Sequence, residues 1–245
     1  MTIAEQKTPV WAVVVAGGSG QRFGGPTPKQ YLDLAGAPIL AWSLAAFERA
    51  DGVDHIIAVV PEDDVLMVGE GIVDAYSLRK VRRVVPGGCS RQDSTARGLD
   101  AVEDRDGIVL VHDGVRPFIS DAVIAQAIAS ADESGSGLVA TPVTDTIKRV
   151  EDSCVAETIP REALWAAQTP QAFTISLLRR AMEQAIRDGF EGTDEAQLVE
   201  RIGHRVRIVP GDSMNIKITN REDLERAELI ASRLRVPGDE RETLC

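Results

Sequence analysis

An unbroken apolar run, Val10 to Ala16, leads directly into a glycine-rich turn and then into cations. Val13, Val14 and Val15 are β-branched and continuous, as in a strand covered on both faces of a parallel sheet. Gly17, Gly18 and Gly20 follow, and glycine lets the backbone come close to whatever lies beyond the strand's carboxyl end. Arg22 and the Pro28-Lys29 pair come next. Bare amides near a helix start, with arginine and lysine beyond them, suit a polyphosphate. The stretch Val13 to Tyr31 is the feature around which the chain is organised.

The rest of the sequence alternates strand and helix patterns. After Pro38, which fits a first-turn position, Ile39, Leu40, Ser43, Leu44 and Phe47 follow helical spacing. His55 to Val60 reads as a strand, and Pro61 to Asp64 opens a helix towards Tyr76. Val81 to Val85 is a third strand, set near an edge by Arg82 and Arg83. A second glycine turn, Gly87 to Ser94, precedes a helix from about Thr95 to Val102. Ile108 to His112 is a buried strand ending in Asp113 and Gly114; Ser120 or Asp121 caps a helix through Ala131, and Gly137 to Val143 is a strand. Such alternation predicts an α/β fold, Rossmann-like, with a mostly parallel twisted sheet flanked by helices.

From Thr144 to Trp165 the rhythm changes. Residues 145–150 and 154–158 read as two short strands around a polar turn, antiparallel because no crossover helix separates them. Either an extra hairpin on the same sheet or a protruding arm exchanged with a second subunit fits this pattern. The tail resumes with a helix over 176–187 and a short helix through Arg201 with Thr193 as its cap. Strands at 205–209 and 215–219, a closing helix over 221–234 and a frayed end from 236 complete the pattern.

A net charge of −11 argues against general nucleic-acid binding, which leaves a basic footprint. The placement of the few cations therefore matters more than their number. Cys89, Cys154 and Cys245 are too dispersed for a zinc cluster or a disulfide framework, and free thiols suit a reducing cytosol. The N-terminus lacks a basic-then-apolar signal pattern, and Val10 to Ala16 is too short to span a bilayer. The expectation is a soluble cytoplasmic protein with neither nucleic acid nor membrane as a partner.

Ligands of open α/β sheets lie outside the carboxyl ends of the strands. Gathered there are the first glycine loop with Arg22 and Lys29, Gly88 with Ser94, Asp113 with Arg116, and Lys217 from a late strand. This is a phosphate-rich site. No G-x-x-x-x-G-K-[ST] is present, which excludes a P-loop. Glu62 lies about forty residues beyond the loop, where a dinucleotide fold expects its acid after ~20. His112 reads as an ordinary strand-end residue and Cys89 as a small space-filler.

Eight motifs in order resemble the 2-C-methyl-D-erythritol 4-phosphate cytidylyltransferases of the non-mevalonate isoprenoid pathway. They are AGGSGQRF (16–23), PKQYL (28–32), GGCSRQDS (87–94), VHDGVRP (111–117), DTIK (145–148), TPQAF (169–173), TDEA (193–196) and NIKIT (215–219). The resemblance implies one nucleotidyltransferase domain over 1–245, including a β-arm at about 144–165. It implies that CTP lies over the first loop, with Ala16, Gly17, Gly18 and Gly20 near the nucleotide and Gly88 and Ser94 reading the cytosine. Asp113 and Gly114 would lie near the ribose and the second substrate. Arg22 and Lys29 match transition-state stabilisers, and Lys217 and Arg161 match groups that position methylerythritol phosphate. Thr146, Arg116, Thr169 and Thr193 match other acceptor contacts. Thr146 and Arg161 would serve the neighbouring subunit's site through the arm, which implies exchange and a homodimer. Mg2+ would accompany CTP, with no protein ligand named for it.

Two enzyme alternatives share parts of this pattern. The opening AGG and VRPF (115–118) also occur in pentitol-phosphate cytidylyltransferases such as ribitol 5-phosphate enzymes, and Gly114-Val115 replaces a frequent Ala-Ala. TPQAF, TDEA and IPREALW (159–165) look closer to the methylerythritol group. Sugar-1-phosphate and molybdopterin nucleotidyltransferases share the first loop but not PKQYL or NIKIT. A non-catalytic nucleotide-binding protein is a third reading, opposed by the intact Arg22, Lys29 and Lys217.

Overall fold

The computed structural model describes residues 8–17, 27–234 and 236–238. Gly18, Gly20 and Arg22 lie outside the described residues, as does the tail from 239 onward. In chain order the first elements are β1 (Val10–Val15), a small hairpin of β2 (Asp33–Leu34) and β3 (Ala37–Pro38), α1 (Ile39–Arg49) and β4 (His55–Val60). Next come α2 (Val65–Val68), β5 (Val81–Pro86), α3 (Arg91–Asp100), β6 (Ile108–Asp113), α4 (Asp121–Ser134) and β7 (Ser136–Pro142). The chain continues with β8 (Ile147–Glu151), β9 (Cys154–Ile159), β10 (Trp165–Thr174), α5 (Ile175–Asp188), α6 (Glu195–Arg201), β11 (Ile208–Pro210) and α7 (Arg221–Ala231).

Seven strands form one sheet in the order β11-β7-β10-β6-β1-β4-β5. β10 runs antiparallel to both neighbours, and the other adjacent pairs are parallel. The α/β, mostly parallel architecture is therefore as expected. β1 lies inside it, between β6 and β4, and shows why its sequence is apolar throughout. Val10, Ala12 and Val14 enter a core with α1, α4 and α7, while Trp11 and Val13 enter the opposite core with α3, α5 and α6. Period-two alternation sends consecutive residues to opposite faces, so a strand with helices on both sides needs apolar residues at every position.

Several segments depart from the sequence pattern. β10 is a strand that the sequence pattern does not announce, because Pro170 within TPQAF argues against a central strand. The pairing with β7 is irregular between Ala167 and Gln171, and Pro170 sits inside that irregularity. Residues 215–219 form no strand; the segment is held by side chains and by Ile218 N–H donating to the Val115 carbonyl (2.9 Å). α3 begins at Arg91, four residues before the expected start, because Ser90 Oγ accepts from Asp93 N–H as N-cap. Asp194 rather than Thr193 caps α6, accepting from Gln197 N–H at 2.9 Å. The helix expected towards Tyr76 is split into a 3-10 turn, α2 and a π-helical turn over Gly69–Asp74, a stretch carrying two glycines. Pro38 is the N-cap of α1 and not a first-turn residue.

Among the described residues β8 and β9 pair only with each other, antiparallel, and their residues are largely exposed. Asp152 and Ser153 both have positive φ (48° and 62°), which matches a two-residue hairpin turn. The ribbon is thus a separate sheet and not an extension of the main one. No helix of the described residues is long and apolar enough to cross a membrane.

α3 lies close on the sheet because Gly98 has no side chain. A Cβ there would sit 2.4 Å from Val13 Cγ1 and 2.8 Å from Val59 Cγ2. Gly98→Ala should therefore lose about 1–3 kcal/mol to overpacking, outweighing the ~1 kcal/mol that alanine contributes to a helix. A lowered urea midpoint is the expected result, and an unchanged or raised one would show that α3 can move away freely.

Candidate active site

The carboxyl ends of β1 and β6 and the start of α3 enclose a cavity of about 350 Å³. Ala16, Gly17, Lys29, Gly88, Ser94, Asp113 and Lys217 all line it, so seven of the residues singled out in the sequence converge. Cys89, Ser90 and Arg91 also line it. Cys89 is exposed at this wall, which corrects the space-filler reading.

Local structure explains each placement. β1 delivers Ala16, whose N–H donates to the Val59 carbonyl at 2.7 Å. Lys29 stands on a 3-10 turn, Lys29–Tyr31, that is fastened to the body by Tyr31. Tyr31 Oη donates to Asp64 Oδ2 at 2.8 Å, and burial together with that carboxylate pushes the Tyr31 pKa above its ordinary value. Ser94, buried one turn into α3, donates to the Ser90 carbonyl and accepts from Gly88 N–H at 3.1 Å. It therefore fixes the second glycine turn. Gly114 allows β6 to leave the sheet beside β1, since a Cβ there would lie 2.9 Å from Ala16 Cβ.

Asp113 is the hub. Lys217 Nζ lies 2.8 Å from its Oδ2, Arg91 Nε donates to Oδ1 at 3.1 Å, and Arg116 Nε stands 3.7 Å from Oδ2. Burial alone would raise the Asp113 pKa, but Arg91 and Lys217 outweigh it and hold the carboxyl well below the usual range. Arg91 continues the chain, donating through Nη1 to Glu195 Oε1 at 2.6 Å. Burial lowers the Arg91 pKa, yet Glu195 and Asp113 outweigh this and push it up. Burial likewise lowers Arg116, and here it prevails over Asp113. Two carboxylates thus face four cations, counting Lys29. The site carries surplus positive charge although the chain is at −11.

Arg116 and Thr169 do not line the cavity; they stand behind Asp113. Thr169 Oγ1 accepts from Asp113 N–H (3.1 Å) and contacts His112 Nδ1 (3.1 Å). Arg116 Nη1 donates to the Asn215 carbonyl, and Asn215 Nδ2 donates to Gln168 Oε1 and the Thr169 carbonyl. These bonds seat the segment that carries Lys217. Thr146, Arg161 and Thr193 are exposed and stand apart from the lining; Arg161 Nη1 donates to the Thr144 carbonyl at the base of the ribbon.

Arg91 and Glu195 were missed although both lie in quoted motifs. An arginine in the first turn of a helix opposes the macrodipole, and that is the signal pointing to nearby carboxylates. Among the described residues no group of three or more His, Cys, Asp or Glu side chains could hold a metal. Asp113 already has cations on both oxygens, so these residues do not fit a protein-built metal cage.

A cationic cavity at the carboxyl edge of a mostly parallel sheet defines an α/β protein that binds an anionic ligand. The family model IspD: 2-C-methyl-D-erythritol 4-phosphate cytidylyltransferase matches residues 10–233, and the chain belongs to this family. It is 47% identical over 222 residues to the 2-C-methyl-D-erythritol 4-phosphate cytidylyltransferase of Geobacter metallireducens, covering 89% of this chain and 96% of the relative. The enzyme of that name from Geotalea uraniireducens is 49% identical over 221 residues, covering 89% and 95%. The crystal structure of a 4-diphosphocytidyl-2C-methyl-D-erythritol synthase from Anaerococcus prevotii superposes with a TM-score of 0.80 at 32% identity, covering 92% of this chain and 99% of that one.

His112 is fully buried between Phe47, Thr169 and the Arg116 carbonyl, and burial lowers its pKa to about 4. The unfolded chain, with an ordinary value near ~6.5, takes up the proton first as pH falls. Stability should therefore drop by about 3 kcal/mol between roughly pH 6.5 and 4. His112→Gln should flatten that limb in urea titrations across the window. A wild type without acid loss there would contradict the buried neutral imidazole.

Proposed function

We propose that this chain transfers CMP from CTP to 2-C-methyl-D-erythritol 4-phosphate, giving 4-diphosphocytidyl-2-C-methyl-D-erythritol and pyrophosphate. The carrying observation is the Asp113 network, which holds Arg91 and Lys217 in one cavity with Lys29, in a chain belonging to the family of that name. A phosphate monoester has a second pKa near ~6, so at neutral pH the acceptor is largely a dianion and its own nucleophile. Its oxygen attacks the α-phosphorus of CTP, the new O–P bond forms in line, and the bond to the β-phosphate oxygen breaks to release pyrophosphate. No base is required, which agrees with His112 being buried and engaged.

Lys29 stabilises charge growing on the transferring phosphoryl group, together with Arg22. Lys217 grips the acceptor phosphate. Ala16, Gly17, Gly18 and Gly20 follow the triphosphate, and Gly88 and Ser94 face the cytosine. Asp113 and Gly114 border the ribose and the acceptor, while Arg116 and Thr169 brace Asp113. Mg2+ arrives with the triphosphate as its counter-ion, since magnesium usually binds through substrate phosphates and water. Residues 1–245 form one nucleotidyltransferase domain working in the cytoplasm.

The ribbon β8–β9 is a dimerisation arm in this reading, carrying Thr146 and Arg161 to a partner's cavity, and Thr193 is a contact of the acceptor. Its exposed Val150 (57%) and Val155 (62%) support that, because a two-stranded ribbon is marginal without something to pack on.

Pyrophosphate release from CTP and Mg2+ tests the reading. Release with methylerythritol phosphate and not with ribitol 5-phosphate is expected; the reverse would move the chain to the pentitol group, and none with either would leave a binding protein. Lys29→Ala should lower turnover by about a hundredfold or more with the unfolding midpoint retained, and near-normal turnover would overturn its role.

A further inference from the structure

Glu195 is the first residue of α6, and its carboxylate is buried, with 1% of the residue exposed. Arg91 Nη1 (2.6 Å) and Thr95 Oγ1 (2.9 Å) both donate to Oε1, while Oε2 is buried and has no hydrogen-bond partner among the described residues. Burying a carboxylate and leaving one oxygen unpaired is costly. Stability is a poor reason for an acid at this position.

Its geometric effect on Arg91 is a better one. A guanidinium facing a carboxylate tends to fork, giving two parallel N–H bonds to both oxygens. Arg91 does not fork onto Asp113. It donates through Nε to Oδ1 alone, at 3.1 Å, and Nη1, on the edge opposite the Nε–Nη2 pair that would fork, is tied to Glu195 at the shorter 2.6 Å, which fixes the orientation of the whole guanidinium. Asp113 Oδ2 is thereby left for Lys217, whose Nζ lies 2.8 Å away. Lys217 is partly exposed (37% of its side chain) and lines the cavity, so the position of its ammonium decides what it can reach.

We propose that Glu195 is a positioning residue: by holding one arm of Arg91 it keeps the Arg91–Asp113 pair monodentate and reserves Asp113 Oδ2 for Lys217. It acts through Arg91 and Asp113 and touches neither substrate. The inference rests on the reading of Lys217 as the grip on the acceptor phosphate. Without the Glu195 charge the guanidinium is free to turn, its Nη2, which shares an edge with Nε, comes onto Asp113 Oδ2, and Lys217 is displaced. The acceptor step then suffers, while Asp113 itself keeps its place at the strand end beside the ribose and the rest of the nucleotide wall, Ala16, Gly17, Gly88 and Ser94, is unchanged. Arg91→Lys removes the fork altogether, because an ammonium is a single point of charge.

The experiment uses the full chain with Glu195→Gln, which is nearly isosteric, Arg91→Lys and the double variant. Glu195→Gln should raise the KM for methylerythritol phosphate about tenfold or more, with the KM for CTP within about twofold and the fold intact by circular dichroism. In the Arg91→Lys background the same change should have no further effect on the acceptor KM, an outcome that mere structural damage would not give. A crystal structure of Glu195→Gln, which needs no activity, should show Arg91 bidentate on Asp113 and Lys217 beyond hydrogen-bond reach. Lys217 still on Asp113 Oδ2 overturns the proposal whatever the kinetics, and so does an equal loss for both substrates. A wild type that turns over CTP without using methylerythritol phosphate would instead overturn the acceptor reading, and the crystal structure would then decide the role of Glu195 alone.

Discussion

Everything distinctive about the cavity depends on one buried carboxylate shared among three cations. Asp113 ends the strand beside β1 and meets Arg91 from α3, Arg116 from the following loop and Lys217 from a segment more than a hundred residues later. Bringing these charges out of water is expensive, and removing one partner of a buried pair costs about 3–5 kcal/mol. Such a cluster is weak evidence for stability as such. Its consequence is position: fixed cations need no reorganisation when negative charge develops on a substrate.

The fold supplies the frame that makes this placement possible. β1 and β6 are central, apolar on both faces and clamped by helices, so their carboxyl ends are rigid. β10 matters as much. Running antiparallel between β6 and β7, it puts Thr169 beside the Asp113 amide and Gln168 beside Asn215. A strand that contributes no ligand-facing charge thus seats both the hub and the segment that brings Lys217. The charge surplus is local, which is how a chain with a net charge of −11 can hold a phosphate-rich ligand.

The sequence made the buried strands legible, because residues 10–15, 56–60 and 108–111 are apolar at consecutive positions, which only a two-sided sheet requires. It also made the cavity lining legible, since Lys29, Asp113 and Lys217 fall in ordered motifs. β10 was hidden by Pro170, whose effect is absorbed by an irregular stretch that local propensity does not register. The strand expected at 215–219 looked apolar enough, but Asn215 turns inward to bind Gln168 and Thr169 and no ladder forms. Arg91 and Glu195 carry no role legible in the sequence, because their meaning is a relation between α3 and α6, 104 positions apart. Pairwise charge geometry of that kind is visible only after folding.

The most direct measurement of the account is pyrophosphate release by Asp113→Asn, with CTP and methylerythritol phosphate saturating and folding verified at neutral pH. If the shared carboxylate holds the cations in place, turnover falls by about a hundredfold or more while the protein stays folded. Turnover close to wild type would mean that Arg91 and Lys217 find their positions without it, and the account would be wrong at its centre.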